Sequence, residues 1–256
     1  MEFWDCGNID SPSEIYNNTN CDTLVIAGDF GYVFNKKGGV NQRFVGVMKK
    51  LKHIYEHIVY VSGNHEFYND KFTIDEIDFK LKNICDDLKI HYLQKDTWKH
   101  PATGVLFIGC TLWSDVFYED VSLLNDYHKV FANDMYHWKS LHKDHQSWLQ
   151  ETIEMHKDVP IFVITHHLPS FLCIDEKLKG KSGNTGYASH SDYLFKSPVI
   201  GWICGHSHDA IDTQINNIPI RSDPIGYKFE YLLKNKKNRL KSRCHTFPTS
   251  LSFFMT

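Results

Sequence analysis

No C-x-x-C pair occurs in this chain, although it holds seven cysteines. Cys6, Cys21, Cys85, Cys110, Cys173, Cys204 and Cys244 are scattered and odd in number, which excludes a zinc ribbon and gives no disulfide framework. Cys110 and Cys204 lie inside apolar runs and read as small buried hydrophobes. The pattern suits a reducing compartment, so a cytoplasmic location is expected. Long apolar runs are also lacking. None exceeds about eight residues, far short of the roughly 20 that a membrane span needs. The first 20 residues are acidic and polar, so no secretory signal is read there. Nor does charge of one sign accumulate: the net charge of −3 gives no support to a general polyanion binder.

Histidine is in excess, with 16 residues, and aromatics make up 14%. Histidine is the commonest metal ligand and titrates near neutral pH, so the excess raises the expectation of a metal or acid–base site. The plain alternative, that most of the 16 are ordinary surface residues, holds for the majority. The 256 residues are ample for a sizeable core.

Five short apolar runs recur: 23–29, 57–66, 104–115, 159–167 and 199–208. Continuous runs of this length read as strands buried on both faces of a layered α/β sheet. Between them, Phe44, Val47, Leu51, Ile54 and Tyr55 recur at helical spacing, as do Ile74, Ile77, Leu81, Ile84 and Leu88. Thr73 and Glu76 form a capping box for the second helix. A weaker helix is expected over 140–157. The segment 168–198 reads as a long loop, and 234–246, with six basic residues, as a flexible tail. The expected organisation is one domain over 1–230 and a basic tail over 231–256.

Four of the strands end in polar residues that an apolar strand does not need. These are Gly28-Asp29, Gly63-Asn64-His65-Glu66, Thr165-His166-His167 and Gly205-His206-Ser207-His208. Ligands of open α/β sheets gather beyond the carboxyl ends of strands, so these groups are expected to converge. Asp, Asn and several His without thiolate make a nitrogen and oxygen site, suited to manganese, iron or zinc. His206 and His208, if extended, face the same way. Each motif alone is weak, since Gly-Asp is often a turn and His-His often a packing pair. Together, each at a strand end, they favour a metal site.

The motifs A-G-D at Asp29, S-G-N-H-E at Asn64-His65-Glu66, T-H-H at His166 and C-G-H-S-H at His206 and His208 resemble the calcineurin-like metallophosphoesterase superfamily. The resemblance covers roughly residues 2–230. Gly109-Cys110-Thr111-Leu112-Trp113 and Ser222-Asp223-Pro224-Ile225-Gly226-Tyr227 resemble a microbial and viral subgroup, with Asp223 where that subgroup usually has Asn. The resemblance implies a four-layer αββα fold and a binuclear centre of two divalent ions, manganese, iron or zinc. Asp29 would bridge the ions, Asn64, His166 and His206 would complete one, and His208 would serve the other. His65 would be catalytic, donating to the phosphate or the leaving oxygen. Glu66 would lie behind the ligands, orienting a His ring, and His167 would do likewise or only pack.

Members of the family begin with a strand ending D-x-H, whose two ligands serve the ion that His208 also holds. This chain reads Met1-Glu2-Phe3, as the segment after that motif would, so the first strand and two ligands are expected to be absent and the second ion weakly held. The implied function is hydrolysis of a phosphate mono- or diester, a small molecule or a nucleotide, by a metal-bound hydroxide. The alternative is a catalytically weak relative that serves as a binding module with one metal site intact. A nuclease is the least favoured reading, because a basic face is lacking and nucleic acid is not the expected partner. In the loop 168–198, Lys181, Asn184, Tyr187 and His190 are candidates for contacting substrate, and each is equally readable as an ordinary loop residue.

Overall fold

The computed structural model describes residues 21–224 and, for their backbone, the strands Cys244–Thr246 and Ser252–Met255. The D-x-H expectation falls on residues before Cys21, outside the described residues. So does most of the expected tail.

All five anticipated strands form: β1 Thr23–Ala27, β2 His57–Val61, β5 Leu106–Cys110, β6 Ile161–Thr165 and β7 Val199–Ile203. Short elements that lack a clear period in sequence join them: β3 His91–Tyr92, β4 Asp96–Lys99, β8 Ile211–Ile215 and β9 Ile218–Ser222. With β10 Cys244–Thr246 and β11 Ser252–Met255 they make two sheets, ordered β10-β11-β1-β2-β3 and β4-β5-β6-β7-β9-β8. Strand β11 runs parallel to β1, opposite the edge that β2 pairs. One expectation is corrected here. The stretches 244–246 and 252–255 of the expected flexible tail are strands.

Alternation along the strands produces the layers. Leu24, Ile26, Ile58 and Tyr60 pack with Phe44, Met48 and Leu51 of α1 (Gln42–Lys52) and with Ile77, Leu81 and Cys85 of α2 (Ile74–Asp87). The intervening Val25, Ala27, Val59 and Val61 meet Phe107, Phe162, Ile164 and Ile203 of the second sheet. On that sheet's far face, Leu106, Ile108, Val163 and Trp202 pack with Leu149 and Ile153 of α5 (Met135–Met155). Each fully buried aliphatic or aromatic side chain here contributes about 1.5–3 kcal/mol. Helix, sheet, sheet and helix follow from these faces, giving the four-layer αββα sandwich.

The helices begin where the caps direct. Thr73 and Glu76 form the capping box of α2, and Asp134 caps α5 through His137 N at 3.0 Å. Helix α1 stops at Lys52, so Ile54 and Tyr55 follow the helix instead of extending it. Helix α5 starts at Met135, earlier than its apolar period suggests. Two short helices, α3 Tyr118–Val121 and α4 Asn125–Lys129, lie between β5 and α5.

A buried polar network ties the strand ends beneath the site. Ser62 Oγ lies 2.9 Å from Tyr92 Oη and 3.1 Å from Thr111 Oγ1, and Thr111 N donates to Gln94 Oε1 at 2.9 Å. Tyr92 Oη and Gln94 Nε2 donate to Asp78 at 2.5 and 3.3 Å. Burial pushes the Asp78 carboxyl up to about 6, against the pull of these two hydrogen bonds. The folded chain therefore holds this proton more tightly than the unfolded chain. The stability it brings is complete below about pH 4 and is lost as pH rises through the folded value. Thermal unfolding of wild type and Asp78→Asn at about pH 4.5 and 7.5 measures this: the variant gains on wild type at the higher pH, and an equal difference at both contradicts it.

Candidate active site

The turns after β1 and β2 press against each other. A Cβ on Gly63 would land on Asp29 Oδ1 and on the Asp29 amide, and one on Gly28 would land on His166 Nδ1. Gly28 also has φ +87°, so glycine is required there on both counts. Asp29 itself sits at φ 53°, a left-handed backbone that costs a non-glycine residue about 1–2 kcal/mol. Glu66 offsets that cost. Its buried carboxylate accepts N–H bonds from Asp29 at 3.0 Å, Phe30 at 2.7 Å, Gly31 at 3.2 Å and Gly63 at 2.7 Å. Hydrogen bonds to a charged group contribute about 1.5–3 kcal/mol each, so the clamp outweighs the strain. Glu66 thus shapes the loops by binding backbone amides.

The clamp aims Asp29. Its Oδ1 accepts from His65 N at 3.0 Å and lies 3.4 Å from His166 Nε2. His166 Nδ1 lies 2.7 Å from the Ala27 carbonyl, which can only accept. Nδ1 therefore carries a ring proton, and Nε2 is the nitrogen that presents a lone pair in the neutral ring. Asn64 is oriented in the same way. Its Nδ2 donates to Asp126 Oδ1 at 2.7 Å, which turns Oδ1 toward His166 Nε2 at 2.9 Å. His206 Nδ1 completes the set, 3.2 Å from the same Nε2.

These groups set each other's charge. Burial opposes ionisation of Asp29, but His166, His65 and His206 outweigh it and hold the carboxyl well below its ordinary value. Burial likewise disfavours charge on His166, yet Asp29 and the hydrogen bond to it raise the imidazole above its ordinary value. His206 is lowered well below its ordinary value, first by burial and then by His166.

The set opens into a cleft of about 420 Å³, lined among others by Asp29, Asn64, His65, Asp126, Tyr187 and His206. His65 stacks on Tyr68 with ring centroids 4.5 Å apart. His208 lines the same cleft, but it and His206 have φ of 55° and 67°. The extended geometry expected for G-H-x-H is corrected: the chain turns at each histidine, so alternation does not place both side chains alike. Asp29, His166 and His206 bring ligand atoms within 4.8 Å of one another, whereas His208 joins no such group among the described residues. Of the loop candidates, Tyr187 lines the cleft and packs on His206 with centroids 4.8 Å apart. Lys181 is exposed, Asn184 donates to Leu178 O, and His190 packs on Phe171.

The pattern of the calcineurin-like phosphoesterases matches residues 5–210. The chain belongs to this family. An uncharacterized protein of Acanthamoeba polyphaga mimivirus is 29% identical over 244 residues, covering 86% of this chain and 81% of the viral one. The crystal structure of phosphopantetheinyl hydrolase (PptH) from Mycobacterium tuberculosis superposes with a TM-score of 0.68 at 14% identity, over 89% of this chain and 88% of that one. At that identity the likeness speaks for the fold alone.

Asp126 and Tyr68 are cleft residues that sequence reasoning missed. Asp126 accepts from Asn64 and, at 2.6 Å, from Tyr68 Oη. It lies in α4, a five-residue helix with no capping signal and no apolar period, so only the fold brings it to Asn64. The clamp yields a prediction. Glu66→Gln sets an amide against four backbone donors, which is expected to lower the thermal unfolding midpoint and weaken manganese binding by roughly tenfold or more. Calorimetric titration with manganese reads this, and unchanged affinity contradicts the clamp's role.

Proposed function

We propose that this calcineurin-like phosphoesterase hydrolyses a phosphate mono- or diester of a small molecule or nucleotide, using divalent metal held by Asp29, Asn64, His166 and His206. One observation carries the reading. Asp29 Oδ1, Asn64 Oδ1 and His206 Nδ1 all face the bare Nε2 of His166 at 2.9–3.4 Å. Asp29 Oδ1 and Asn64 Oδ1 are acceptors, His166 Nε2 is the accepting nitrogen of the neutral ring, and acceptors crowded together call for a cation between them. The donor set of oxygen and nitrogen without sulfur fits manganese, iron or zinc.

When bound, the metal supplies Lewis acidity that acidifies water and neutralises phosphate charge, and in a binuclear centre it lines up the attacking oxygen. The chain's own groups do the rest. Asp29 stays ionised because the imidazoles around it hold its carboxyl low, so it offers charge to the centre at neutral pH. His166 and Asn64 are locked in their orientations by Ala27 O and Asp126 and need no rearrangement. His65 is anchored through its backbone to Asp29 and through its ring to Tyr68, at the wall of the cleft. In this reading it gives a ring proton to the leaving oxygen. Tyr187 and Tyr68 offer aromatic surface to the ester group.

The test is hydrolysis of an aryl phosphate and of an aryl phosphodiester with manganese. Wild type is expected to turn over in the presence of manganese and to stop with chelator. Asp29→Asn and His206→Ala are expected to abolish turnover. His65→Ala is expected to lose about 10²–10⁴-fold in kcat while keeping its metal content. A folded wild type with no metal-dependent turnover contradicts the proposal and favours a binding module.

A further inference from the structure

His167 is fully buried, and its Nε2 has no hydrogen-bond partner. This is not disorder of the side chain, because the residue is tied on every other side. Its N–H donates to Thr111 O at 3.1 Å, and its carbonyl accepts from Thr165 Oγ1 at 2.9 Å. Its Nδ1 lies 3.3 Å from the same Thr111 carbonyl. A carbonyl only accepts, so Nδ1 carries the proton and Nε2 is a bare lone pair. Burying such an acceptor unpaired costs about 1–3 kcal/mol and needs a reason. An imidazole with Nδ1–H on a backbone carbonyl and a free Nε2 is the arrangement of a metal ligand.

The missing partner is indicated by its neighbours. Asp126, His167 and His206 bring one ligand atom each to within 4.8 Å of one another. Asp126 is buried, and its Oδ1 takes both hydrogen bonds, from Asn64 and Tyr68, which leaves the other carboxylate oxygen to ligate. The rings of His167 and His206 lie 4.2 Å apart at an interplanar angle of 36°.

We propose that Asp126, His167 and His206 form a second divalent-metal site, beside the one on Asp29, Asn64 and His166. It rests on the reading of this cleft as a metal centre, and His206 is common to both sets: holding an ion through each ring nitrogen releases the ring proton to solvent and leaves a bridging imidazolate. Two imidazoles and one carboxylate suit a first-row transition ion such as zinc, iron or manganese, and of the three residues Asp126 and His206 line the cleft. The site departs from what the resemblance implies. There the second ion depends on His208 and a D-x-H motif, whereas here it draws on a helix that no motif marks.

Cobalt(II) titration of the metal-stripped protein, followed by its visible absorption, tests this. Wild type is expected to take two equivalents. Asp126→Asn and His167→Gln are each expected to take one, with circular dichroism confirming the fold. Asp29→Asn is expected to keep the equivalent that those two lose. If wild type takes one equivalent, lost in Asp29→Asn and untouched in the Asp126 and His167 variants, the second site is overturned and the proposed function stands. If it takes none, both fall. A measurement on wild type alone covers variants that fail to fold: the ring ¹⁵N spectrum during zinc titration. The His167 Nε2 resonance is expected to shift with one of two equivalents, and a resonance that stays still through saturation overturns the site.

Discussion

The carboxylate of Glu66 is the constraint on which the centre depends. Four backbone N–H groups from two loops converge on it. Without it, those donors would be buried unpaired and Asp29 would have no reason to keep a left-handed backbone. With it, the turns after β1 and β2 close so tightly that only glycine fits at 28 and 63. That closeness is what puts Asp29 Oδ1 beside the His166 ring. The buried charge is costly in itself: burial and the nearby Asp29 raise the Glu66 carboxyl above its ordinary value. The chain spends that stability on geometry, as expected where a site must be held rigid.

The second layer of control is the use of main-chain carbonyls as tautomer selectors. Ala27 O fixes His166, and Thr111 O fixes His167. Both carbonyls lie where strands end, and the polar network through Ser62, Tyr92, Gln94 and Asp78 holds Thr111 in place. Sheet geometry is thereby converted into the direction of a lone pair.

Much of this is legible in sequence, for a physical reason. Strands buried on both faces must be apolar throughout, so the polar residues that terminate them stand out, and those at Asp29, Asn64, His166 and His206 do meet. Local patterns fail where the backbone is irregular. His206 and His208 read as an extended pair, but both adopt positive φ, and the period of two does not apply. Glu66 reads as lying behind the ligands, and the four backbone amides it accepts from are donors that no sequence pattern displays. Asp126 leaves no trace because its place is set by a short helix packed between distant segments. Strand β11 is the clearest case of tertiary context prevailing: a segment that reads as tail pairs with β1 through long-range hydrogen bonds.

The central claim is that acceptors crowded between the two clamped loops are there for a cation. Anomalous diffraction from a crystal soaked in manganese tests it most directly. The account predicts a peak among Asp29 Oδ1, Asn64 Oδ1, His166 Nε2 and His206, each at roughly 2.0–2.3 Å, the range of first-row metal–ligand bonds. A map with no peak there at saturating manganese, or with Asn64 Oδ1 and His166 Nε2 still in direct contact and no ion between them, would contradict it.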